Sequence, residues 1–147
     1  MKVRDVLESK GKGPIHWVRP DATVQELLDT LAEHNVGALV VSDDGRSMAG
    51  IVSERDIVRK LRAAPGSREQ SVTAIMTSAA EVRVCRPDDS FHTLMAIMTD
   101  HRVRHVPVVD EDGLVDILSI GDAVKYRMDQ LEFERDQLNQ YVTGSIG

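Results

Sequence analysis

The stretch Gly50-Ile51-Val52-Ser53-Glu54-Arg55-Asp56 has a second version later in the chain, Asp116-Ile117-Leu118-Ser119-Ile120-Gly121-Asp122. Both run from a β-rich apolar segment into Ser-x-x-Asp, which is typical of a strand that ends where a helix begins. Three further blocks precede these stretches in the same order in both copies: Val36–Val41 with Val103–Val108, Pro20–Thr23 with Pro87–Ser90, and Val3–Leu7 with Val72–Met76. The offset is 67 residues in the two middle blocks and 66 in the strand-end stretch. Four blocks in one order indicate an internal repeat.

Each copy predicts the element order α-β-α-β-β-α. The central helix of each copy has apolar residues at the i, i+3, i+4, i+7 spacing of one helical face: Val24, Leu27, Leu28, Leu31 and Phe91, Leu94, Met95, Met98. Thr23 with Glu26, and Ser90, have the spacing of N-terminal caps. Short strands are predicted at 15–18, 37–41, 49–53, 81–85, 103–109 and 114–119, with further helices opening near Asp56 and Asp122. The Ala- and Gly-containing stretch 63–67 is predicted to be a linker.

The predicted fold is α+β, with two pseudo-symmetric repeats packed sheet to sheet. A single copy of about 60 residues buries too little surface to be stable by itself, so two copies face to face is the economical arrangement. We place the first repeat at 1–66, the second at 67–126, and a C-terminal helix extension with its tail at 127–147.

The C-terminal helix is longer than the repeat requires. Its apolar residues have the spacing 4, 3, 7 and 4, a heptad-like stripe that Arg135 interrupts: Val124, Met128, Leu131, Leu138 and Val142. Two interpretations stay open, a terminal helix that packs back on its own domain and a helix that packs on a second subunit.

Composition excludes several classes of function. The 147 residues carry a formal charge of −6, which argues against a nucleic-acid binder, and only 3% are aromatic. No apolar run reaches the length of a membrane span, the N-terminus lacks a secretory signal, and the single cysteine, Cys85, forms no internal disulfide. We predict no membrane contact and a cytoplasmic location.

Residues for catalysis or metal binding are sparse. The chain has no HExxH, GxSxG or P-loop pattern. His101 and His105 have a four-residue spacing, but the helix is predicted to end near His101, so the pair is not expected to share a helical face. Cys85 is interpreted as a small core residue and Asp43-Asp44 as a solvated turn. We therefore predict that the protein is not an enzyme and holds no metal.

The repeated Ser-x-x-Asp has two interpretations. Ser53 with Asp56, and Ser119 with Asp122, have the spacing that caps a helix. The same place suits a ligand, because a helix N-terminus attracts phosphate and an Asp carboxylate accepts from two ribose hydroxyls. Arg55 adds a charge-assisted phosphate contact to the first copy. Recurrence does not separate the two interpretations, since capping recurs as well.

These residues resemble a known family. The repeated unit resembles the CBS domain, named from cystathionine β-synthase, and the chain resembles a stand-alone tandem CBS pair over about Val3 to Val124. The resemblance is carried by the two openings Asp5–Leu7 and Ala74–Met76, by Val103–Asp110, and by the strand-end stretches. It implies two clefts around a pseudo-twofold axis that hold adenosine ligands such as AMP, ADP, ATP, NAD or S-adenosylmethionine, and no catalytic cofactor.

The resemblance also implies which residues form each cleft, because the family Asp holds the ribose and the other repeat holds the base. One cleft would contain Ser53, Arg55, Asp56, Val82, Arg104, His105 and Pro107. The other would contain Ser119, Asp122, Ile15, Val36, Gly37 and Ala38. Arg104 and His105 also admit a plainer interpretation as polar residues of an edge strand. On this assignment the basic residues collect in the Asp56 cleft, which is expected to prefer the more highly phosphorylated ligands.

Three functions remain open at this point. The leading one is a regulatory sensor that binds an adenine nucleotide and transmits occupancy through a homodimer or an unknown protein effector. The alternative is a ligand-independent dimerisation or scaffold protein. The third, a small enzyme acting on a nucleotide, has no base or metal set to support it.

Overall fold

The computed structural model describes residues 1–63 and 68–144. The first copy follows the predicted order of elements: α1 (Val3–Lys10), β1 (Trp17–Val18), α2 (Val24–His34), β2 (Ala38–Val41), β3 (Gly50–Ser53) and α3 (Glu54–Ala63). The predicted linker lies outside the described residues from position 64 to 67.

The second copy departs from the prediction at its start. It opens with a single 3₁₀ turn (Val72–Ala74) and continues as β4 (Thr77–Ser78), α4 (Phe91–Asp100), β5 (His105–Asp110), β6 (Gly113–Ser119) and α5 (Ile120–Gly144). The predicted strand at 81–85 is wrong. The amides of Glu81 and Val82 instead donate to the carbonyl of Ser78 at 2.9 and 3.2 Å in a tight turn, and Cys85 alone makes a β-bridge, to Val108.

Two sheets carry the α+β fold. The first has the strand order β1-β2-β3-β4, in which β1 is parallel to β2 and the other pairs are antiparallel. The second is the antiparallel pair β5-β6. In each copy the motif serine pairs with the start of the preceding strand, Ser53 with Ala38 and Ser119 with His105. The two motifs therefore lie at equivalent edges of their sheets.

The opening segment of each copy packs in the core of the other copy. Val3 and Val6 of α1 are fully buried among Phe91, Leu94 and Leu118 of the second copy. Val72 and Ile75 are buried among residues of the first copy, including Leu27 and Val52. The exchange places Lys10, the last residue of α1, beside Asp122, and it places Thr77, which follows the second opening, beside Asp56.

The predicted caps are present. Thr23 and Glu26 form a reciprocal capping box at the start of α2, and Ser90 accepts a hydrogen bond from the amide of Thr93 at 3.0 Å. The helices after the strand-end stretches begin two residues earlier than predicted, at Glu54 and Ile120. The serine before each is therefore the N-cap, which places the motif aspartate in the first turn of the helix.

The last part of α5 leaves the body of the protein. Tyr126 is buried against Phe91 with ring centroids 5.5 Å apart, whereas every residue from 131 to 144 is exposed. A terminal helix that packs back on its own domain along its length is therefore the wrong interpretation. Within residues 1–63 and 68–144, no helix combines the length and the apolar character that crossing a bilayer requires.

Candidate functional site

Both Ser-x-x-Asp motifs form complete capping boxes. The amide of Ser53 donates to Oδ2 of Asp56 at 3.0 Å, and the amide of Asp56 donates to Oγ of Ser53 at 3.3 Å. The second copy repeats this between Ser119 and Asp122 at 2.9 and 3.1 Å. Capping is thus a real role of these residues, and it holds one carboxylate oxygen of each aspartate in a fixed position.

Capping leaves the second oxygen of Asp56 for other contacts. The hydroxyl of Thr77 donates to Oδ1 of Asp56 at 3.3 Å, and Asp56 itself lines an open cleft. A carboxylate oxygen that is held in place and reached by a small hydroxyl is a suitable acceptor for a ligand hydroxyl group. The ligand interpretation of Asp56 is therefore compatible with its capping role.

The cleft at Asp56 lies between the two copies and has a volume of about 360 Å³. This volume falls in the range of small-molecule sites in proteins, about 300–1,000 Å³. The first copy contributes the end of β3 and the first turns of α3, and the second copy contributes the turn after β4 and the start of β5. The lining comprises Gly37, Ile51, Ser53, Glu54, Arg55, Asp56, Arg59, Thr77, Val82, Arg83, His101, Val103, Arg104 and His105.

The charge of this cleft is opposite to that of the protein. Four arginines line it, Arg55, Arg59, Arg83 and Arg104, against the two acids Glu54 and Asp56, although the chain carries a net charge of −6. Among the residues that the structure describes, none of the four guanidinium groups has a carboxylate within 4.0 Å. Arg55 donates one hydrogen bond to the carbonyl of Arg102 at 2.7 Å. Guanidinium groups that line one cavity without a carboxylate partner are suited to a phosphate group.

The cleft also offers apolar surface. Ile51, Val82 and Val103 belong to the lining. Gly37 lies in the same lining, and a methyl group added at its Cα would be 3.3 Å from Cε1 of His105. The missing side chain thus lets the imidazole of His105 pack against the backbone at Gly37, and the apolar residues provide surface suited to a flat aromatic base.

His105 stands at the boundary of the two copies. Burial lowers the pKa of its imidazole below the ordinary value of 6.5, with the nearby charges of Arg104 and Lys10 acting in the same direction. Asp122 and Glu54 oppose this shift. His105 therefore interacts electrostatically with Asp122 of the second motif while it lines the cleft of the first, and its lowered pKa favours the neutral imidazole.

The environment of Asp122 differs from that of Asp56. The ammonium of Lys10 lies 3.8 Å from Oδ2 of Asp122 and 3.1 Å from Oδ1 of Asp116, and it donates to the carbonyl of Ile117 at 2.7 Å. No basic residue was assigned to this motif from the sequence, whereas Lys10 reaches it from α1. No local pattern indicates this contact, because Lys10 lies 112 positions from Asp122 along the chain.

The structure brings most of the residues predicted for the first cleft together. Ser53, Arg55, Asp56, Val82, Arg104 and His105 all line it, whereas Pro107 is buried and its carbonyl accepts from the amide of Cys85. Gly37, assigned to the other cleft, lines this one.

The remaining residues assigned to the second cleft have other surroundings. Val36 packs at the edge of the first core, Ala38 is buried, and Ile15 is half-buried. Ser119 and Asp122 form their capping box as described above. The set of residues that forms the second cleft therefore stays a prediction.

Sequence reasoning missed five polar lining residues of the first cleft. Arg59 follows Arg55 by one helical turn, so its spacing would have placed both on one face of α3. Thr77 is placed by its pairing with Ile51 in β4, and Arg83 follows the turn after β4. Glu54 stands between two predicted residues, and His101 was considered only for its spacing to His105.

Two further predictions concern single residues. Cys85 is 1% exposed, and burial raises the pKa of its thiol to about 12, which confirms its interpretation as a core residue. His101 caps the end of α4 and His105 begins β5, so the two do not share a helical face, as expected. Both nevertheless line the cleft.

Similarity to known proteins agrees with this architecture. Residues 3–63 and 72–129 each match the CBS domain family. The CBS domain-containing protein CBSX3, mitochondrial, of Arabidopsis thaliana is 36% identical over 148 aligned positions, covering 97% of this chain and 72% of that protein.

Solved structures give the same result. A CBS-domain-containing protein from Agrobacterium tumefaciens superposes with a TM-score of 0.78 at 40% identity, covering 86% of this chain and 99% of that one. A CBS domain protein from Pyrobaculum aerophilum, complexed with AMP, superposes with a TM-score of 0.71 at 30% identity, covering 83% and 89%. The two family matches, the α+β repeat and these relatives agree with one another. The chain therefore belongs to the CBS domain family, as a pair of CBS domains.

Proposed function

We propose that this protein is a regulatory module that binds an adenine nucleotide in the Asp56 cleft and transmits occupancy through the packing of its subunits. The observation that carries the proposal is that four arginines without a carboxylate partner and the Asp56 carboxylate line one cleft of about 360 Å³. The arginines supply contacts for phosphate, and the carboxylate supplies an acceptor for ribose hydroxyls. The related Pyrobaculum aerophilum protein, complexed with AMP, supports this ligand class.

The proposed role is binding rather than catalysis. Within the described residues, the lining contains arginines, histidines and two acids but no serine–histidine or cysteine–histidine pair with a hydrogen bond between them. The cleft is expected to prefer ligands with more phosphates, among AMP, ADP, ATP and NAD, because each added phosphate can meet a further guanidinium group. The cytoplasmic location stays a prediction, and the Arabidopsis relative is named as mitochondrial.

Subunit packing is proposed to involve α5. The stripe residues Val124, Met128, Leu131 and Leu138 are 45 to 64% exposed. The exposed part of α5, residues 131–144, has about the length at which an isolated helix is only marginally stable in water. In a parallel pair with this heptad register, Arg127 of one helix lies beside Glu132 of the other, an attractive pair that forms twice. We therefore propose a homodimer in which the α5 helices of two copies pair in parallel.

The test of the nucleotide proposal is a thermal-unfolding panel on nucleotide-stripped protein with AMP, ADP, ATP, NAD, S-adenosylmethionine and GMP. A ligand at 100 times its Kd stabilises the folded state by about 2.7 kcal/mol. At roughly 2–4 °C per kcal/mol for a chain of this size, the midpoint then rises by roughly 5–11 °C. A selective rise of the midpoint with an adenine ligand supports the proposed function. Loss of that rise in Arg83→Met assigns the ligand to this cleft. Arg86→Met is the control, because Arg86 is exposed and lies outside the lining.

The alternative role makes the opposite prediction. If the protein is a ligand-independent dimerisation scaffold, no nucleotide changes the unfolding midpoint, while substitutions on the α5 stripe still change its assembly. Light scattering of the stripped protein with and without nucleotide separates the two roles, because only the sensor couples occupancy to subunit packing.

A further inference from the structure

The chain places one of its own cations on the second motif aspartate. The side chain of Lys10 is 29% exposed, and its ammonium contacts the carboxylates of Asp116 and Asp122 and the carbonyl of Ile117, at 3.1, 3.8 and 2.7 Å. An ammonium group has three N–H donors. Three acceptor groups of the protein therefore surround the ammonium of Lys10 and satisfy it in place of solvent.

The first copy is an internal comparison for this site. There the residue that follows the exchanged opening is Thr77, whose neutral hydroxyl donates to Asp56 at 3.3 Å. The position of Asp116 is occupied by Gly50 in the first copy, so the carboxylate that binds Lys10 beside Asp122 has no counterpart there. The first motif aspartate thus contacts a neutral donor, whereas the second shares a cation with Asp116.

We propose that Lys10 determines which ligands bind at the Asp122 site. Its ammonium group is an internal counter-ion, and it occupies the place that the ribose hydroxyls of a ligand would take. This inference rests on the proposed function and names its stoichiometry: each chain binds one phosphate-bearing nucleotide, in the Asp56 cleft. Two carboxylates against one ammonium also give the Asp122 site a net negative charge, which opposes a phosphate group.

The charge balance specifies the ligand class that Lys10 excludes. Removal of the ammonium frees the Asp122 carboxylate to accept ribose hydroxyls, but it leaves both Asp116 and Asp122 negative. A neutral nucleoside therefore gains a site, whereas a nucleoside monophosphate does not.

The experiment is equilibrium dialysis of the full, nucleotide-stripped chain against saturating adenosine or AMP. The wild-type protein is expected to bind about one molecule of either per chain. Lys10→Met, which keeps a helix-compatible side chain of similar length, is expected to bind about two adenosines and still about one AMP. The control is Lys12→Met, an exposed lysine of the same segment, which is expected to match the wild type.

A double variant links the new site to its carboxylate. Lys10→Met combined with Asp122→Ala is expected to return the adenosine stoichiometry to about one. Lys10→Gln serves as a second single variant if Lys10→Met unfolds, because its amide keeps hydrogen-bond donors while the charge is lost.

The outcomes separate this inference from the proposed function. Two AMP molecules bound per wild-type chain, or one adenosine bound by both Lys10 variants, overturns the role of Lys10 alone. Absence of any adenine ligand from the wild-type protein overturns the proposed function, and the role of Lys10 with it.

Discussion

Gly37 and His105 touch across the boundary between the two CBS copies, where a methyl group on Gly37 would lie 3.3 Å from Cε1 of the imidazole. The carbonyl of Gly37 also accepts the amide of Glu54, the first residue of α3, at 3.0 Å. One glycine thus joins the start of the helix that carries Asp56 to a histidine of the opposite copy. A side chain at position 37 would therefore disturb both the start of α3 and the position of His105.

Gly37→Val is expected to weaken nucleotide binding in the Asp56 cleft, because the branched side chain displaces His105 into the space of the ligand. Overpacking of this kind also lowers the free energy of unfolding, by about 1–3 kcal/mol. Calorimetric titration with AMP and urea denaturation measure the two effects. Gly13→Val is the control, since no atom lies within 4 Å of its added Cβ. Unchanged affinity in Gly37→Val would place the ligand elsewhere.

Asp56→Ala and Asp122→Ala form a matched pair. Each removes one capping box, so each is expected to lower the free energy of unfolding by about 1 kcal/mol. Only Asp56→Ala is expected to abolish nucleotide binding, because Asp122 is already engaged by Lys10. Titration calorimetry with the wild type as reference measures the difference. Full affinity in Asp56→Ala together with loss in Asp122→Ala would reverse the assignment of the clefts.

The pH dependence of stability is expected to include His105. Burial lowers the pKa of its imidazole in the folded state, while the unfolded chain has the ordinary value of about 6.5. The unfolded state therefore binds a proton first as the pH falls, so this contribution to stability is complete above about pH 6.5 and is lost below it.

His105→Gln removes this contribution. Between about pH 7.5 and pH 5.5, its free energy of unfolding is expected to fall less than that of the wild type. Urea denaturation at both pH values measures the difference. His92→Gln is the control, because it lies on the exposed surface of α4. Equal losses in the wild type and His105→Gln would contradict the assignment.

The homodimer is expected to depend on the stripe of α5. Leu131→Glu places a charge in the proposed helix pair and is expected to shift the protein to a monomer at micromolar concentration. Phe133→Glu is the control, because Phe133 is 62% exposed but lies off the stripe. Light scattering coupled to gel filtration measures both. A monomeric Phe133→Glu beside a dimeric Leu131→Glu would show that another face of α5 forms the contact.

Local patterns predicted most of the elements of the fold. The helix α2 followed from its apolar spacing and its Thr23–Glu26 cap, because both are interactions within a few residues of each other. The prediction of a strand at 81–85 was wrong, because a strand also needs a neighbouring strand to pair with, and local sequence does not show one. The turn after β4 used the amides of Glu81 and Val82 instead.

The repeat, the family and the two Ser-x-x-Asp motifs can be recognised from the sequence, because they depend on residue identity and spacing along the chain. The residues that lie beside each motif follow instead from the tertiary structure. The opening segments exchange between the copies, which delivers Thr77 to Asp56 and Lys10 to Asp122. No pattern along the chain encodes such a contact, because it depends on the direction in which each segment crosses the boundary between the two copies.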